Sequence, residues 1–286
     1  MRIEPGLVET SAGVVGTITT WPSGVPKGAL AILPGGGSTR AGLDQVWVKL
    51  AGQLAPLGVT SLRFDYPGSG ESHSCRMSRW CQGTSEVLHW FRGQTGQDRL
   101  ALVAMCAGLA PAYREVVRSP GSVLGVAMVM APFYPYMEVP ASPMSLYRQA
   151  RRAAGSARRG ANRLLARARF GPPDPSLNTI LPKEAVAGLA HGEELLVEIS
   201  KSVPLWALST ASDSAGAALA ALHDRLSAGL AYQLELASSP PQDPGAFPGA
   251  EQVVAPVTRW AARLFGLRED EPEREEDALE REMEAS

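Results

Sequence analysis

The chain has 286 residues, 45% of them hydrophobic and 20% charged, and its Lys+Arg 27 against Asp+Glu 29 give a net charge of −2. That much apolar material can bury one large α/β core or two small ones, and the charge balance excludes both a disordered polyanion and a uniformly basic nucleic-acid binder. No run approaches the about 18 apolar residues of a membrane span, and Arg2, Glu4 and Pro5 leave no room for a secretory leader, so the expectation is a cytoplasmic protein without an integral membrane segment.

In chain order, Gly13 to Trp21 is rich in β-formers and is followed by Pro22, Gly24 and Pro26, which predicts an antiparallel hairpin at a sheet edge. Ala29 to Leu33 is an apolar run halted by Pro34-Gly35-Gly36-Gly37, a buried strand feeding a glycine loop. From Leu43 to Leu57 the spacing of Val46, Leu50, Leu54 and Leu57 predicts a helix with one apolar face, ended by Gly58. Val59 to Phe64 is a second buried strand, Arg79 to Phe91 a weaker helix, and Leu100 to Met105 a third strand. A helix then runs to about Val117, and Val123 to Ala131 is a fourth apolar strand. Near-continuous apolar strands alternating with helices predict an α/β fold, a mostly parallel central sheet covered on both faces.

The alternation lapses near Tyr136 and resumes at Val203, with strands at Leu205 to Ser209 and Ala231 to Leu236 and helices at Ala215 to Leu226 and Glu251 to Phe265. The interval reads as an insertion after the fourth parallel strand. The expected organisation is therefore a core of residues 1–136 and 198–266, a helical cap of residues 137–197 with a shorter helix near Glu184 to Ser200, and a C-terminal tail of residues 267–286. Charge marks the last two: Arg148, Arg151, Arg152, Arg158, Arg159, Arg163, Arg167 and Arg169 have no acid between them, whereas residues 269–286 hold ten acids and two arginines.

Ala104-Met105-Cys106-Ala107-Gly108 sets a nucleophilic side chain between small residues where a buried strand meets a helix. Small flanks are what a sharp strand-to-helix bend needs, because larger neighbours would strike the helix, and the helix N-terminus favours a thiolate and a developing oxyanion. Taken alone, such a cysteine is core packing more often than not, because a free thiol behaves as a small hydrophobe. Cys75 and Cys81 lack the spacing and the nearby histidines of a zinc site, and three cysteines do not form a disulfide framework. The Gly35 loop matches neither GxxxxGKS/T nor GxGxxG, so neither a nucleotide cofactor nor a metal is expected.

With this bend, the loop Leu33-Pro34-Gly35-Gly36-Gly37, the segment Arg63-Phe64-Asp65-Tyr66-Pro67-Gly68-Ser69-Gly70-Glu71-Ser72 and Asp213 after the strand ending at Ser209, the chain resembles the α/β-hydrolases over most of residues 28–266. The Arg63 to Ser72 run, the cysteine elbow and the arginine-rich cap are similar to the exosortase-system-associated hydrolases and related acyl hydrolases. The resemblance implies Cys106 as nucleophile, Asp213 as the acid that orients a histidine, and the backbone N–H groups of Ala107 and Gly36 as the oxyanion hole. Gly35 and Met105, beside the elbow, and Arg148 and Arg152, in the cap, are the expected substrate contacts.

The family's histidine is missing. Its place between the last strand and the closing helix reads Ser238-Ser239-Pro240-Pro241-Gln242-Asp243-Pro244-Gly245-Ala246-Phe247, and no histidine follows His223. Three repairs stand open: a displaced base, His73 or His191; a thiolate poised by the helix dipole without a permanent base; or a non-hydrolytic step such as elimination, isomerisation or cyclisation, with loss of catalysis included. His89 and His223 lie on amphipathic helices and read as surface or partly packed residues. The expected function is acyl transfer or hydrolysis on an ester, thioester or lactone of a small, largely apolar metabolite, free or linked to a carrier protein or coenzyme A, whose phosphates the cap arginines would grip. Since 23 of the 27 basic residues are arginine, those residues also suit an ordinary solvated helix face. A non-catalytic binding protein is the remaining alternative.

Overall fold

The computed structural model describes residues 1–35, 38–66, 69–72, 80–130, 192–210, 219–237 and 249–267. The first strands, β1 (Arg2–Thr10) and β2 (Gly13–Trp21), form an antiparallel hairpin in which Thr10 faces Gly13 across a two-residue turn. β2 then pairs antiparallel with β4 (Val59–Phe64). Beyond it β3 (Gly28–Leu33), β5 (Leu100–Met105), β6 (Val123–Val129), β7 (Leu205–Thr210) and β8 (Tyr232–Ala237) run parallel to β4 and to one another. The order across the sheet is β1-β2-β4-β3-β5-β6-β7-β8. The central strands β3 and β4 are buried at every position, as strands covered on both faces must be, whereas β8 at one edge buries only Tyr232 and β1 at the other is mostly exposed.

Helices complete the two layers. On one face Val46, Trp47, Leu50 and Leu54 of α1 (Val46–Leu54) and Val253, Val257 and Trp260 of α6 (Ala250–Leu264) pack on Leu30, Ile32 and Val103, with Trp206 and Trp260 stacked at 6.4 Å. On the other, α2 (Trp80–Thr95), α3 (Leu109–Arg118), α4 (Gly192–Ser200) and α5 (His223–Ser227) cover Leu33, Leu62, Phe64, Leu102 and Ala104. This is the mostly parallel sheet covered on both faces that the strand–helix alternation predicts, and the α/β-hydrolase fold that the resemblance implies.

Three helices differ from expectation, one of them the helix expected from Ala215 to Leu226, which breaks at Leu222 so that α5 runs from His223 to Ser227. The helix predicted from Leu43 begins at Val46, because Asp44 (φ 50°) and Gln45 (φ 58°) are left-handed and confine Leu43–Gln45 to a single 3₁₀ turn. It stops at Leu54, leaving Leu57 partly buried beyond its end. The helix predicted to stop at Phe91 runs to Thr95, where Gly96 (φ 66°) gives its N–H to Arg92 O and closes it. The polar Arg92-Gly93-Gln94-Thr95 stretch carries no apolar periodicity that could announce that last turn. The expected cap, residues 137–197, lies outside the described residues except for the start of α4, whose Leu196 and Ile199 are buried in the core. The tail beyond Leu267 lies outside as well.

Candidate active site

The parallel strands deliver their carboxyl ends to one edge of the sheet, and at the tip of β5 the chain turns within a single residue. Met105 is still extended (φ −107°, ψ 132°), Cys106 has φ 49°, and Leu109 is already helical. A left-handed conformation at a residue other than glycine costs about 1–2 kcal/mol, so it persists only where the surroundings enforce it. Gly108 shows how they do: a Cβ there would stand 2.3 Å from Leu33 O and 2.9 Å from Pro34 O, so the turn is pressed onto the backbone at the end of β3. Ala104, between Leu33 and Met128 in the sheet, and Ala107, 1% exposed, are also without room to grow. The small residues around Cys106 are thus fixed by packing.

Cys106 itself is half-buried against the core cluster on the α2/α3 face. Gly35 borders it, since a Cβ there would lie 3.4 Å from Cys106 Cβ and 2.8 Å from the Met105 side-chain terminus. Of the residues predicted for the site, the structure thus brings Cys106, Ala107, Gly35 and Met105 together. Gly36, His73, Asp213, Arg148 and Arg152 lie outside the described residues, as do His191 and Cys75. β7, whose tip shares the edge with β5, ends at Thr210, three residues before Asp213. His89 and His223 are exposed, the latter tilted against Tyr232 at 5.7 Å. Among the described residues there is no group of three His, Cys, Asp or Glu that could hold a metal, and no helix long and apolar enough to cross a membrane.

Two features of the neighbouring β4 tip were not legible as site features. Asp65, 1% exposed, organises the loop that follows: its carboxylate accepts from Arg40 N (2.7 Å) and Glu71 N (3.1 Å) and pairs with the Arg40 guanidinium, which also meets Glu71 at 2.5 Å. Ser72 Oγ accepts from Gly16 N and donates to Asp65 O, tying the same loop to β2. Burial alone would lower the Arg40 pKa, but its hydrogen bonds and charge pairing with Glu71 and Asp65 raise it. Beside this network Arg63, whose guanidinium donates to Arg40 O at 3.4 Å, is desolvated and faces the Arg40 charge, which together lower its pKa. The second feature is Tyr66, 4% exposed and edge-on to Phe64 with ring centroids 5.4 Å apart. Burial pushes its phenol well above the usual value, and the adjacent thiols of Cys81 and Cys106 push it further.

The sequence matches no family model and no curated relative. Similarity to solved structures is extensive. A loop variant of a haloalkane dehalogenase from Bradyrhizobium elkanii superposes with a TM-score of 0.66 at 17% identity, over 92% of this chain and 97% of that one. A thermostable carboxyl esterase from Bacillus coagulans gives 0.62 at 11% identity, over 93% and 99%. A proline iminopeptidase from Mycobacterium smegmatis gives 0.58 at 15% identity, over 92% and 99%. At these identities the likeness is one of fold, and the three named activities differ from one another.

Proposed function

We propose that the chain is an acyl hydrolase or acyltransferase in which Cys106 attacks the carbonyl of an ester, thioester or lactone of a small, largely apolar metabolite. The observation that carries this reading is the left-handed Cys106 at the tip of β5, held there by the contact of Gly108 with the end of β3. Strain of this kind at a nucleophilic side chain, at the carboxyl edge of a parallel sheet and at the start of a helix, is the arrangement that presents a nucleophile to a carbonyl.

In the proposed reaction the Cys106 thiolate forms a bond to the carbonyl carbon, and the charge moved to oxygen is held by the Ala107 and Gly36 N–H groups. One such donor is worth about 3 kcal/mol of transition-state stabilisation. Collapse of the tetrahedral species breaks the bond to the alkoxide or thiolate leaving group, which takes up a proton. Water, or an acceptor alcohol, amine or thiol, then cleaves the thioester to Cys106 and returns the thiol. In this reading Asp213 and His73 are the groups placed to manage the proton. Residues 137–197 form the cap, from which Arg148 and Arg152 meet the phosphates of a carrier-bound or coenzyme A substrate, while Gly35 and Met105 line the acyl side. The Arg63 to Ser72 run, the cysteine elbow and the arginine-rich cap resemble the exosortase-system-associated hydrolases and related acyl hydrolases.

The reading is tested by intact-mass measurement after incubation with an activated ester and with a short-chain acyl thioester. An acyl adduct that maps to Cys106 and vanishes in Cys106→Ala is the expected result. A second reading is favoured by the absence of histidine from residues 238–248: the pocket would perform an elimination, isomerisation or cyclisation without an acyl-enzyme. Turnover that survives Cys106→Ala would establish it, and neither adduct nor turnover would leave a binding protein.

A further inference from the structure

The strand register places a tyrosine beside the elbow. Ile32 faces Arg63 and Leu33 faces Ala104, so two to three residues further on, at the strand tips, Gly35 falls between Tyr66 on one side and Cys106 on the other. All three belong to one face of the sheet, because Phe64 and Tyr66, Leu33, and Ala104 share the core cluster against which Cys106 packs. Neighbouring strands are about 4.8 Å apart, so Tyr66 and Cys106 are separated by about 10 Å of backbone. The residue between them has no side chain, and the place a Cβ at Gly35 would take is bordered by Cys106 Cβ at 3.4 Å and by the Met105 side-chain terminus at 2.8 Å. Cys81, on α2 and 4% exposed, belongs to the same buried cluster.

We infer that Tyr66 is a positioning residue for the Cys106 thiol, its neutral O–H acting across Gly35 as a fixed dipole that favours the thiolate. The inference rests on Cys106 being the reactive group of the proposed function. It supplies part of what the absent histidine would have done, the bias toward an ionised nucleophile, from a different strand. Burial keeps the Tyr66 proton in place through neutral and mildly alkaline pH, so the group remains a donor while the thiol titrates. Among the described residues, the elements that share this face with Cys106 carry the titratable and charged groups Tyr66 after β4, Cys81, Glu86, His89 and Arg92 on α2, and Tyr113, Arg114, Glu115 and Arg118 on α3. Of these, the Tyr113 hydroxyl is directed to Met128 Sδ at 3.8 Å and Glu115 pairs with Arg92 in the last turn of the helix. The β3 tip contributes Gly35 alone.

The pH dependence of alkylation by iodoacetamide, read on the Cys106 peptide by mass spectrometry so that Cys75 and Cys81 are counted separately, tests this on the full chain. In Tyr66→Phe the apparent thiol pKa should rise, and alkylation near pH 7 should slow about fivefold, the size of one modest hydrogen-bond-strength interaction. The rate at the alkaline plateau should be unchanged. Site-specific 3-fluorotyrosine at position 66, a stronger donor of the same shape, should move the thiol pKa the other way, and serves where Tyr66→Phe fails to fold. Superimposable profiles overturn the inference, as does a changed plateau with an unchanged pKa, which would mean that Tyr66 only packs. An acyl adduct missing from Cys106 while the alkylation profile shifts would instead remove the acyl chemistry and leave the role of Tyr66 intact.

Discussion

Two strand tips separated only by β3 are built in opposite ways. At the end of β4, Asp65 gathers Arg40 and Glu71, and Ser72 ties the loop to Gly16, so that the chain leaves the sheet through a dense set of charged and backbone hydrogen bonds. At the end of β5 the chain reverses through a left-handed cysteine, and what confines it is steric: Gly108 on the backbone of Leu33 and Pro34, and Gly35 against Met105 and Cys106. The first tip is held by bonds, the second by lack of space. A steric vice of this kind fixes the direction of the Cys106 side chain through the backbone on either side of it.

The contrast is broken most severely at the bonded tip. Asp65→Ala leaves the partly buried Arg40 guanidinium with Glu71 alone and strips two backbone N–H groups of their acceptor. A loss of about 4 kcal/mol in urea denaturation is expected, as for other buried pairs deprived of one partner. A loss under about 1 kcal/mol would show that the network is ornamental. At the steric tip, Gly108→Ala forces a Cβ to within 2.3 Å of a carbonyl oxygen that cannot swing away, and about 3 kcal/mol should be lost as the turn and β3 separate. Gly52→Ala, in α1 with nothing within 4 Å, is the control and should gain about 0.5–1 kcal/mol. Equal effects at the two glycines would remove the argument from close packing.

The bonded tip and the steric tip were not equally legible in the sequence. The sheet was, because Ala29 to Leu33 and Leu100 to Met105 are uninterrupted apolar runs that end in proline or small residues, and Val59 to Phe64, although it carries Thr60, Ser61 and Arg63, lies between Gly58 and Pro67-Gly68. The elbow was also legible, since Ala104, Ala107 and Gly108 around one cysteine have a steric reason to be small. The Asp65 network was not, because Arg40 and Asp65 are 25 residues apart and their pairing depends on how the loop after β3 folds back over β4. Tyr66 entered only as one residue of the Arg63 to Ser72 run, since its position across Gly35 from Cys106 emerges only when the registers of β4 and β5 on β3 are combined. The start of α1 was misplaced for a related reason: apolar spacing extends through Leu43, but left-handed Asp44 and Gln45 are backbone facts with no composition signature.

Alkaline titration sharpens the comparison more gently. Tyr66 and Tyr113 are held well above their ordinary phenol pKa by burial, and Tyr232 is pushed up to about 12. A folded-state pKa above the unfolded value of 10.0 means that the unfolded chain releases these protons first as pH rises. The contribution is therefore complete below about pH 10 and is lost as pH climbs toward 12 and beyond. The urea midpoint should be flat from neutrality to about pH 10 and then fall, with Tyr232→Phe removing part of the slope. A midpoint that stays level to pH 12 would mean that these phenols are solvated.

The smallest effect bears most directly on the elbow. In ordinary backbone, a glycine variant is less stable than the alanine variant by about 0.5–1 kcal/mol, because the unfolded glycine has more conformations to lose. At position 106 a Cβ in left-handed conformation costs about 1–2 kcal/mol, which glycine escapes. Both variants lose the sulfur, so their difference isolates the strain, and Cys106→Gly should exceed Cys106→Ala by about 0.5 kcal/mol in urea denaturation. If alanine is the more stable of the two, the turn holds no strain at Cys106, and the steric confinement that distinguishes this tip from its neighbour is only a matter of fit at Gly108.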